Sequence, residues 1–217
     1  MTGGDESARS SSIIVEERNS LAFIRINRPS ERNSLSVATL EDIERAFISL
    51  AASDRTTGVI FTGTGDVFAS GADICELRTL TPAAAREFAA RGQRLFQRIA
   101  DAPQLTIAAI NGYCMGGGLD LALACRVRVA SPDAVFAHPG ARFGIITGWG
   151  GTQRLPRLVG AARAFEMFGT ARRVGASEAL EIGLVDALAE DVLEGVLEIA
   201  RTRVWAMVTT SREAASS

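Results

Sequence analysis

The chain is organised around a glycine-rich stretch, NGYCMGGGLD at Asn111–Asp120. The apolar, β-branched run Leu105–Ile110 precedes it and is typical of a buried strand, and small, helix-permissive residues follow at 121–125. Consecutive glycines let a backbone pass close to a ligand, and the first N–H groups of a helix have no intrahelical partner. The stretch therefore predicts either an oxyanion-binding loop beside the carboxylate of Asp120 or a tight turn that needs glycine for packing.

A second glycine-containing loop occurs earlier in the chain. The sequence VFASGADI at 67–74 follows a strand-like run at 58–62 and the turn GTGD at 63–66. With these two loops the chain contains five motifs that resemble, in order, those of the crotonase superfamily, the enoyl-CoA hydratase/isomerase family: Asn27-Arg28-Pro29, Ser70–Ile74, Asn111–Tyr113, Gly116–Gly118 and Gly150–Leu155. The resemblance implies an α/β fold, a crotonase-like spiral of repeated ββα turns. The end of the chain departs from the family, and we expect a shortened C-terminal helical region.

Local patterns predict the elements of this fold. Ser36 is expected to be the N-cap of a helix through about Leu50, and Pro82 opens a long helix that Asp101-Ala102-Pro103 ends. We expect a β-hairpin from 13–15 and 21–26, further strands at 127–129, 135–136 and 184–185, and helices at 161–168, 177–182 and near 192–203.

Length and composition narrow the class of protein. The 217 residues suit one domain, predicted at 13–205, with a disordered tail at 1–12 and a short tail at 206–217. A net charge of -2 gives no electrostatic reason to expect nucleic acid or a membrane surface as partner. The three cysteines form no CxxC pair, and neither a signal peptide nor a membrane-spanning run is recognisable. We therefore expect a reduced, cytoplasmic setting.

The resemblance also implies the chemistry. Members of the family bind an acyl-CoA thioester and stabilise an enolate with two backbone N–H groups, which correspond to Ala72 and Gly117. Substrate contacts are then expected from neighbours in the two loops: Ser70, Gly71, Asp73, Ile74 and Gly116. Asp73 has a second interpretation as a helix N-cap. Coenzyme A belongs to the substrate, so neither a separate cofactor nor a metal is expected.

The acid/base positions depart from the family pattern. Hydratases of the family use two glutamates, which fall on Asp120 and Gly140; the dienoyl-CoA isomerases need carboxylates at Gly140 and Gly148, and both are absent. Asp120 is one methylene shorter than glutamate, and it could instead be a favourable aspartate at a helix N-terminus. Hydration of crotonyl-CoA should therefore be weak or absent, and Gly140→Glu should raise it.

Three further residues have both a functional and a structural interpretation. His138, the single histidine, could supply the missing acid/base group if its backbone is strand-like, or it could be a packed histidine. Trp149 could wall the acyl pocket or belong to the core. Arg28 and its neighbour Arg32 lie where the family contacts CoA phosphates, or they are surface residues.

The leading hypothesis is an acyl-CoA-processing enzyme resembling enoyl-CoA hydratase/isomerase, assembled as a homotrimer or hexamer. Within the family, a hydrolase, decarboxylase or isomerase without hydratase activity fits the altered acid/base positions. An acyl-CoA-binding pseudoenzyme is an alternative from another class. A serine peptidase of the same spiral fold would need a serine where Cys114 and Met115 stand.

Overall fold

The computed structural model describes residues 11–202. The predicted tails at 1–12 and 206–217 lie outside this range, except for residues 11 and 12. The described strands are β1 Ile13–Arg18, β2 Leu21–Ile26, β3 Ser34–Leu35, β4 Gly58–Gly63, β5 Val67–Ala69, β6 Gly71–Ala72, β7 Leu105–Ile110, β8 Tyr113–Met115, β9 Val127–Ala130, β10 Val135–Ala137, β11 Val174–Gly175 and β12 Ala187–Leu188. The helices are α1 Val37–Ala51, α2 Ile74–Leu77, α3 Pro82–Asp101, α4 Gly117–Ala124, α5 Gly151–Val159, α6 Ala161–Thr170, α7 Ala176–Glu181 and α8 at 192–202.

The strands form a spiral of ββα turns. A six-stranded sheet has the order β1-β2-β4-β7-β9-β12, and all its pairs are parallel except the β1–β2 hairpin. After each of β4, β7 and β9 the chain contributes a short strand to a second sheet of order β11-β10-β8-β5 and then a helix. Because consecutive turns add neighbouring strands to both sheets, the predicted crotonase-like spiral is confirmed.

Both faces of the large sheet are covered, as expected for parallel strands. Val59 and Phe61 of β4 face the main core, together with Leu95 of α3. Ile60, between them, faces a second cluster that includes Val196 of α8. The alternation of side chains along the strand thus divides one apolar run between two cores.

Asparagine and glycine residues, where the chain passes from one sheet to the other, connect successive turns of the spiral. The Asn111 amide group donates to the Gly65 carbonyl at 2.7 Å, and its Oδ1 accepts the N–H of Gly63 at 3.0 Å. A Cβ at Gly112 would lie 2.0 Å from the Asp66 carbonyl oxygen, so the corner between β7 and β8 needs glycine for this close approach.

The predicted helix starts are confirmed. The Ser36 hydroxyl accepts the N–H of Thr39 at the start of α1, and Pro82 is the first residue of α3. The predicted core face of α3 is buried: Phe88, Leu95, Phe96 and Ile99. None of the helices within residues 11–202 is both long and apolar enough to cross a membrane.

The predicted strand at Leu184-Val185 is wrong. The N–H groups of both residues donate to the Ala179 carbonyl, at 2.8 and 3.2 Å, so this apolar pair closes the end of α7 as a turn. The strand begins two residues later, as β12. Buried apolar pairs occur in turns as well as in strands, and periodicity alone does not separate the two.

Candidate active site

A cavity of about 260 Å³ lies between the two glycine loops. Its far walls come from α2, α3 and the segment 138–149, and the side chains there are mostly apolar, such as Leu77, Phe88 and Ile145. Nine residues predicted as site residues line it: Ser70, Gly71, Ala72, Ile74, Gly116, Gly117, His138, Gly140 and Trp149. The two loops that the sequence places 45 residues apart (72 to 117) therefore meet at one site.

The backbones of the two loops touch each other without intervening side chains. A Cβ at Gly71 would lie 3.0 Å from the Met115 carbonyl oxygen and 3.1 Å from the Gly117 nitrogen, and a Cβ at Gly117 would lie 3.4 Å from the Ala72 nitrogen. Gly71 also has a φ of 101°, which a residue with a side chain rarely adopts. Glycine is therefore required at this crossing on two counts.

The N–H groups of Ala72 and Gly117 are available to a ligand by position. The N–H of Asp73 donates to the Leu35 carbonyl at 3.4 Å; since neighbouring N–H groups of an extended strand point to opposite sides, that of Ala72 points away from β3. The first intrahelical bond of α4 is donated by Asp120 to Gly116, so the N–H of Gly117 has no intrahelical acceptor. Two such donors at one edge of a cavity can hold a single carbonyl oxygen.

Asp120 lies behind the cavity wall, with none of its surface exposed. The Thr147 hydroxyl donates to its Oδ2. Oδ1 has no well-formed hydrogen bond among residues 11–202 and lies 3.6 Å from Nε2 of His138. Burial raises the pKa of Asp120 to about 7, against the opposing effects of Thr147, the nearby amides of Trp149 and Gly151 and the charge of Arg154. Near neutral pH the carboxyl is therefore divided between its two protonation states.

His138 lies between Asp120 and the cavity. Its side chain is 2% exposed, and its ring packs against that of Phe168 with centroids 4.8 Å apart. Its backbone has φ −110° and ψ 88°, the end of β10 rather than the start of a regular helix. Neither ring nitrogen has a hydrogen-bond partner within residues 11–202. Burial lowers the pKa of His138 to about 4, so the imidazole is neutral at physiological pH.

Comparisons with known proteins identify the family. The family model described as enoyl-CoA hydratase/isomerase matches residues 16–216. This chain belongs to the enoyl-CoA hydratase/isomerase family. It is an acyl-CoA-processing enzyme of that family.

Individual relatives and a solved structure are similar to this chain along most of their length. A crotonyl-CoA hydratase of Syntrophomonas wolfei is 42% identical over 87% of this chain and 74% of its own. A short-chain-enoyl-CoA hydratase of Clostridium acetobutylicum is 38% identical over 82% of this chain and 69% of its own. The crystal structure of an enoyl-CoA hydratase from Bacillus anthracis superposes with a TM-score of 0.84 at 37% identity, covering 88% of this chain and 76% of that one.

In this member of the enoyl-CoA hydratase/isomerase family, Gly140 leaves little room for a side chain. A Cβ there would lie 2.5 Å from the carbonyl oxygen of Ile145, whose N–H donates back to the Gly140 carbonyl at 3.0 Å. The turn from 140 to 145 is therefore closed over the glycine. A glutamate at this position would require the turn to open, which the sequence alone did not indicate.

Trp149 lines the cavity and also packs in the core, so its functional and its structural interpretation are both correct. Its indole N–H donates to the Phe88 carbonyl at 3.3 Å, and its ring meets that of Phe96 edge-on at 5.6 Å. Gly92 and Gly117 make room for it, since a Cβ on either would lie 2.2 or 2.3 Å from the indole. The ring is thus wedged between α3 and the start of α4.

Two predicted substrate contacts lie off the cavity wall. Asp73 caps α2 by accepting the N–H groups of Cys75 and Glu76. Arg28 forms an ion pair with Glu31 and donates to the Ser34 carbonyl at 3.1 Å. A CoA phosphate would have to compete with these partners, and the role of both residues in binding stays a prediction.

Thr147 is the site residue that the sequence did not reveal. It lines the cavity and also fixes Oδ2 of Asp120, 27 positions away in the chain. A lone threonine in a glycine-rich segment has no pattern that distinguishes it from an ordinary loop residue. Only the fold brings it to the carboxyl.

Proposed function

We propose that this enzyme binds the thioester oxygen of an enoyl-CoA between the amides of Ala72 and Gly117 and shifts the double bond by proton transfer. The observation that carries the proposal is the composition of the cavity. Two main-chain donors border it, the acid/base groups beside it are Asp120 and His138, and Gly140 contributes none.

The chemistry distinguishes double-bond shift from hydration. A shift from the 3-enoyl to the 2-enoyl thioester needs one proton carrier, which takes a proton from the α-carbon and returns one to the γ-carbon through an enolate. Hydration needs water to be activated while the α-carbon is protonated, and each positioned group contributes about 10²–10⁴-fold. One acid/base pair on one side of the cavity suits the first reaction better.

Hydration of a short-chain enoyl-CoA is the second candidate. The two relatives described above are named crotonyl-CoA hydratase and short-chain-enoyl-CoA hydratase. The small cavity, walled by Trp149 and Phe88, is in keeping with a short acyl group. In this case Asp120 would be the one carboxyl available to the water.

In the experiment, purified protein is incubated separately with crotonyl-CoA and with 3-butenoyl-CoA. The ultraviolet absorbance of the conjugated thioester is followed in each reaction. Double-bond shift raises the absorbance with the second substrate, whereas hydration lowers it with the first. Gly169→Ala is a matched control, because its added methyl group has no neighbour within 4 Å. Rapid loss of the crotonyl-CoA signal without any gain from 3-butenoyl-CoA would replace the first candidate by the second. Binding without either change would support a pseudoenzyme.

We also propose a cytoplasmic homotrimer or hexamer that needs no cofactor besides the CoA of its substrate. Support comes from the family and from apolar side chains at the cavity mouth that are half exposed or more, namely Phe143, Ile145 and Ile146. All three cysteines are free thiols, as expected in a reducing compartment. Light scattering that gives a clean monomer at micromolar concentration would contradict the assembly.

A further inference from the structure

We infer that His138 is the catalytic residue that exchanges the proton with the substrate, and that Asp120 is a positioning residue that acts through it. The inference rests on the proposed enolate chemistry in this cavity. It assigns different roles to two residues that the family pattern does not pair.

The first step of the argument is access. Of the described residues that line the cavity, His138 is the only one with a titratable side chain; the others offer backbone, apolar groups or hydroxyls. Asp120 is wholly buried and is not part of the wall, whereas His138 is part of the wall although its two ring nitrogens lie beneath the surface, so the imidazole must turn to meet a bound thioester. A proton that passes between Asp120 and a bound thioester must therefore cross a neighbouring side chain.

The second step decides between the two neighbours that reach both Asp120 and the cavity. The Thr147 hydroxyl already donates to Oδ2, and an alcohol does not hold an extra proton near neutral pH. Nε2 of His138 lies 3.6 Å from Oδ1, which has no hydrogen bond of its own within the described residues. An imidazole can accept and release a proton, so His138 is the competent carrier.

The third step concerns the unused hydrogen-bonding capacity of His138. Both ring nitrogens are buried and lack partners among residues 11–202, and a buried polar group without a partner destabilises the fold. Most buried polar side-chain atoms in folded proteins have at least one hydrogen-bond partner. A side chain that needs a partner, at the wall of a substrate cavity, points to a ligand that supplies one.

The reaction then balances without any further reactant. A ring nitrogen of neutral His138 takes the α-proton; the C–H bond breaks, and its electron pair enters the enolate, whose oxygen is held by the Ala72 and Gly117 amides. The imidazolium faces Asp120 at 3.6 Å, and the carboxylate form of Asp120 carries the opposite charge. The N–H bond then breaks and a C–H bond forms at the γ-carbon, which restores neutral His138.

Other charged groups around the pair are few. Arg154 acts on Asp120 from α5 and favours its carboxylate form. Burial raises the pKa of Cys114 well above its usual range, so the thiol stays neutral. Glu166 of α6, the helix that carries Phe168, is paired with Arg172 at 2.8 Å. Burial lowers the pKa of His138, and Asp120 and a bound substrate are the groups placed to act on the imidazole besides it.

The test uses the fact that the chain has a single histidine in all 217 residues. In tag-free, full-length protein, nitrogen-15 NMR reports the tautomer and the titration of His138. The imidazole signals need no assignment, because they can come from no other histidine. We expect Asp120→Asn to change the tautomer or the titration, and addition of crotonyl-CoA to shift the ring signals of the wild type. An imidazole that responds to neither change would overturn the inference, whether or not the protein turns over either enoyl-CoA.

Kinetics separates the two roles. His138→Gln should lower kcat by about 10²–10⁴-fold while KM changes little, because glutamine keeps a polar side chain but carries no proton near neutral pH. Phe168→Leu alters the packing of the same ring and is the matched control, with kcat close to the wild type. If His138→Gln keeps the wild-type kcat and Asp120→Asn alone abolishes it, Asp120 meets the substrate directly and the assignment is wrong. Absence of turnover in the wild type would instead refute the proposed function and leave the NMR result to decide the pairing.

Discussion

The two halves of the candidate site are built in different ways. The amide half, Ala72 and Gly117, consists of main-chain groups placed by two strand-to-helix turns that touch at Gly71. The acid/base half consists of the side chains of Asp120, His138 and Thr147. Substitutions leave a main-chain donor in place as long as the turn persists, whereas each side chain can be exchanged singly. The second half is therefore where the chemistry of such a fold can change while the first half stays constant.

The acid/base half is also the more strained electrostatically. Asp120 is buried with one oxygen unpaired, and His138 is buried with two unpaired nitrogens, as far as residues 11–202 are concerned. The amide half carries no side-chain charge. The following predictions compare the effects of substitutions in the two halves, beginning with the largest expected effect.

Asp120→Asn should stabilise the fold above pH 7. The pKa of Asp120 is raised from 3.8 to about 7 by burial, which corresponds to about 4 kcal/mol of unfolding free energy. Because the folded state binds this proton more tightly than the unfolded state, the wild type loses stability as pH rises from about 4 to about 7. The asparagine variant lacks this loss, so its advantage should be small near pH 4 and largest above pH 7.

Chemical denaturation of both proteins at matched pH values measures the difference. His138, whose pKa is lowered to about 4, opposes folding in acid in both proteins, so its effect largely cancels. Asp133→Asn, at an exposed aspartate, is the matched control and should follow the wild type. If Asp120→Asn also follows the wild type at every pH, burial does not penalise the Asp120 carboxylate.

Gly117→Ala should damage the amide half. The added methyl group would lie 2.3 Å from the Trp149 ring, so either the ring or the start of α4 must move. Displacing one such donor costs about 10²–10³-fold in kcat. Turnover of the active enoyl-CoA measures the effect, and Gly169→Ala in α6 controls for a glycine replaced in a helix. Undiminished kcat in a folded Gly117→Ala protein would show that this amide does not hold the substrate oxygen.

Gly140→Ala should destabilise the protein by about 1–3 kcal/mol, as overpacking of a closed turn does. The added Cβ would lie 2.5 Å from the Ile145 carbonyl oxygen, whereas the same change at Gly148 meets only the Ala89 side chain, at 3.7 Å. The thermal unfolding temperatures of the Gly140→Ala and Gly148→Ala variants compare the two positions directly. Equal stabilities would mean that the 140–145 turn opens easily, and Gly140→Glu would then be a fair test of restored hydration.

Local patterns sufficed for most of the fold. The run Leu105–Ile110, the cap at Ser36 and the apolar face of α3 follow from periodicity and capping within a few residues, and the structure has them where expected. The prediction of a strand at Leu184-Val185 failed because this apolar pair is buried in the turn that closes the end of α7. Apolar character indicates that a segment is buried, and only its hydrogen bonds decide between strand and turn.

The sequence indicated most residues of the candidate site, including Asp120, His138 and Trp149, but it predicted how they meet only where the backbone builds the site. Glycine in the loops at 71 and 116–118 indicated a close approach, and the two loops do meet. The bond from Thr147 to Asp120 and the closure of Gly140 by Ile145 join segments through the tertiary fold. No spacing rule connects these residues, since the distance along the chain is set by a loop rather than by a helix or strand period.

Trp149 belongs to both halves, and its replacement should have the smallest effect. The indole touches Gly117 on one side and lines the cavity on the other. Trp149→Phe removes the N–H that bonds the Phe88 carbonyl and leaves space beside the acyl group. We expect the affinity for hexanoyl-CoA to rise relative to butyryl-CoA by about 1 kcal/mol, the lower end of what one methylene is worth in an apolar pocket.

Titration calorimetry with the two saturated thioesters measures this ratio without depending on the reaction. Phe96→Leu is the matched control, because Phe96 packs against the indole edge but is not part of the cavity wall. That variant should lower stability and leave the ratio unchanged. If Trp149→Phe weakens both thioesters equally, the ring acts by holding the Gly117 turn in place. Its contribution would then belong to the amide half, and the limit on acyl length would have to lie with Phe88 and Leu77 across the cavity.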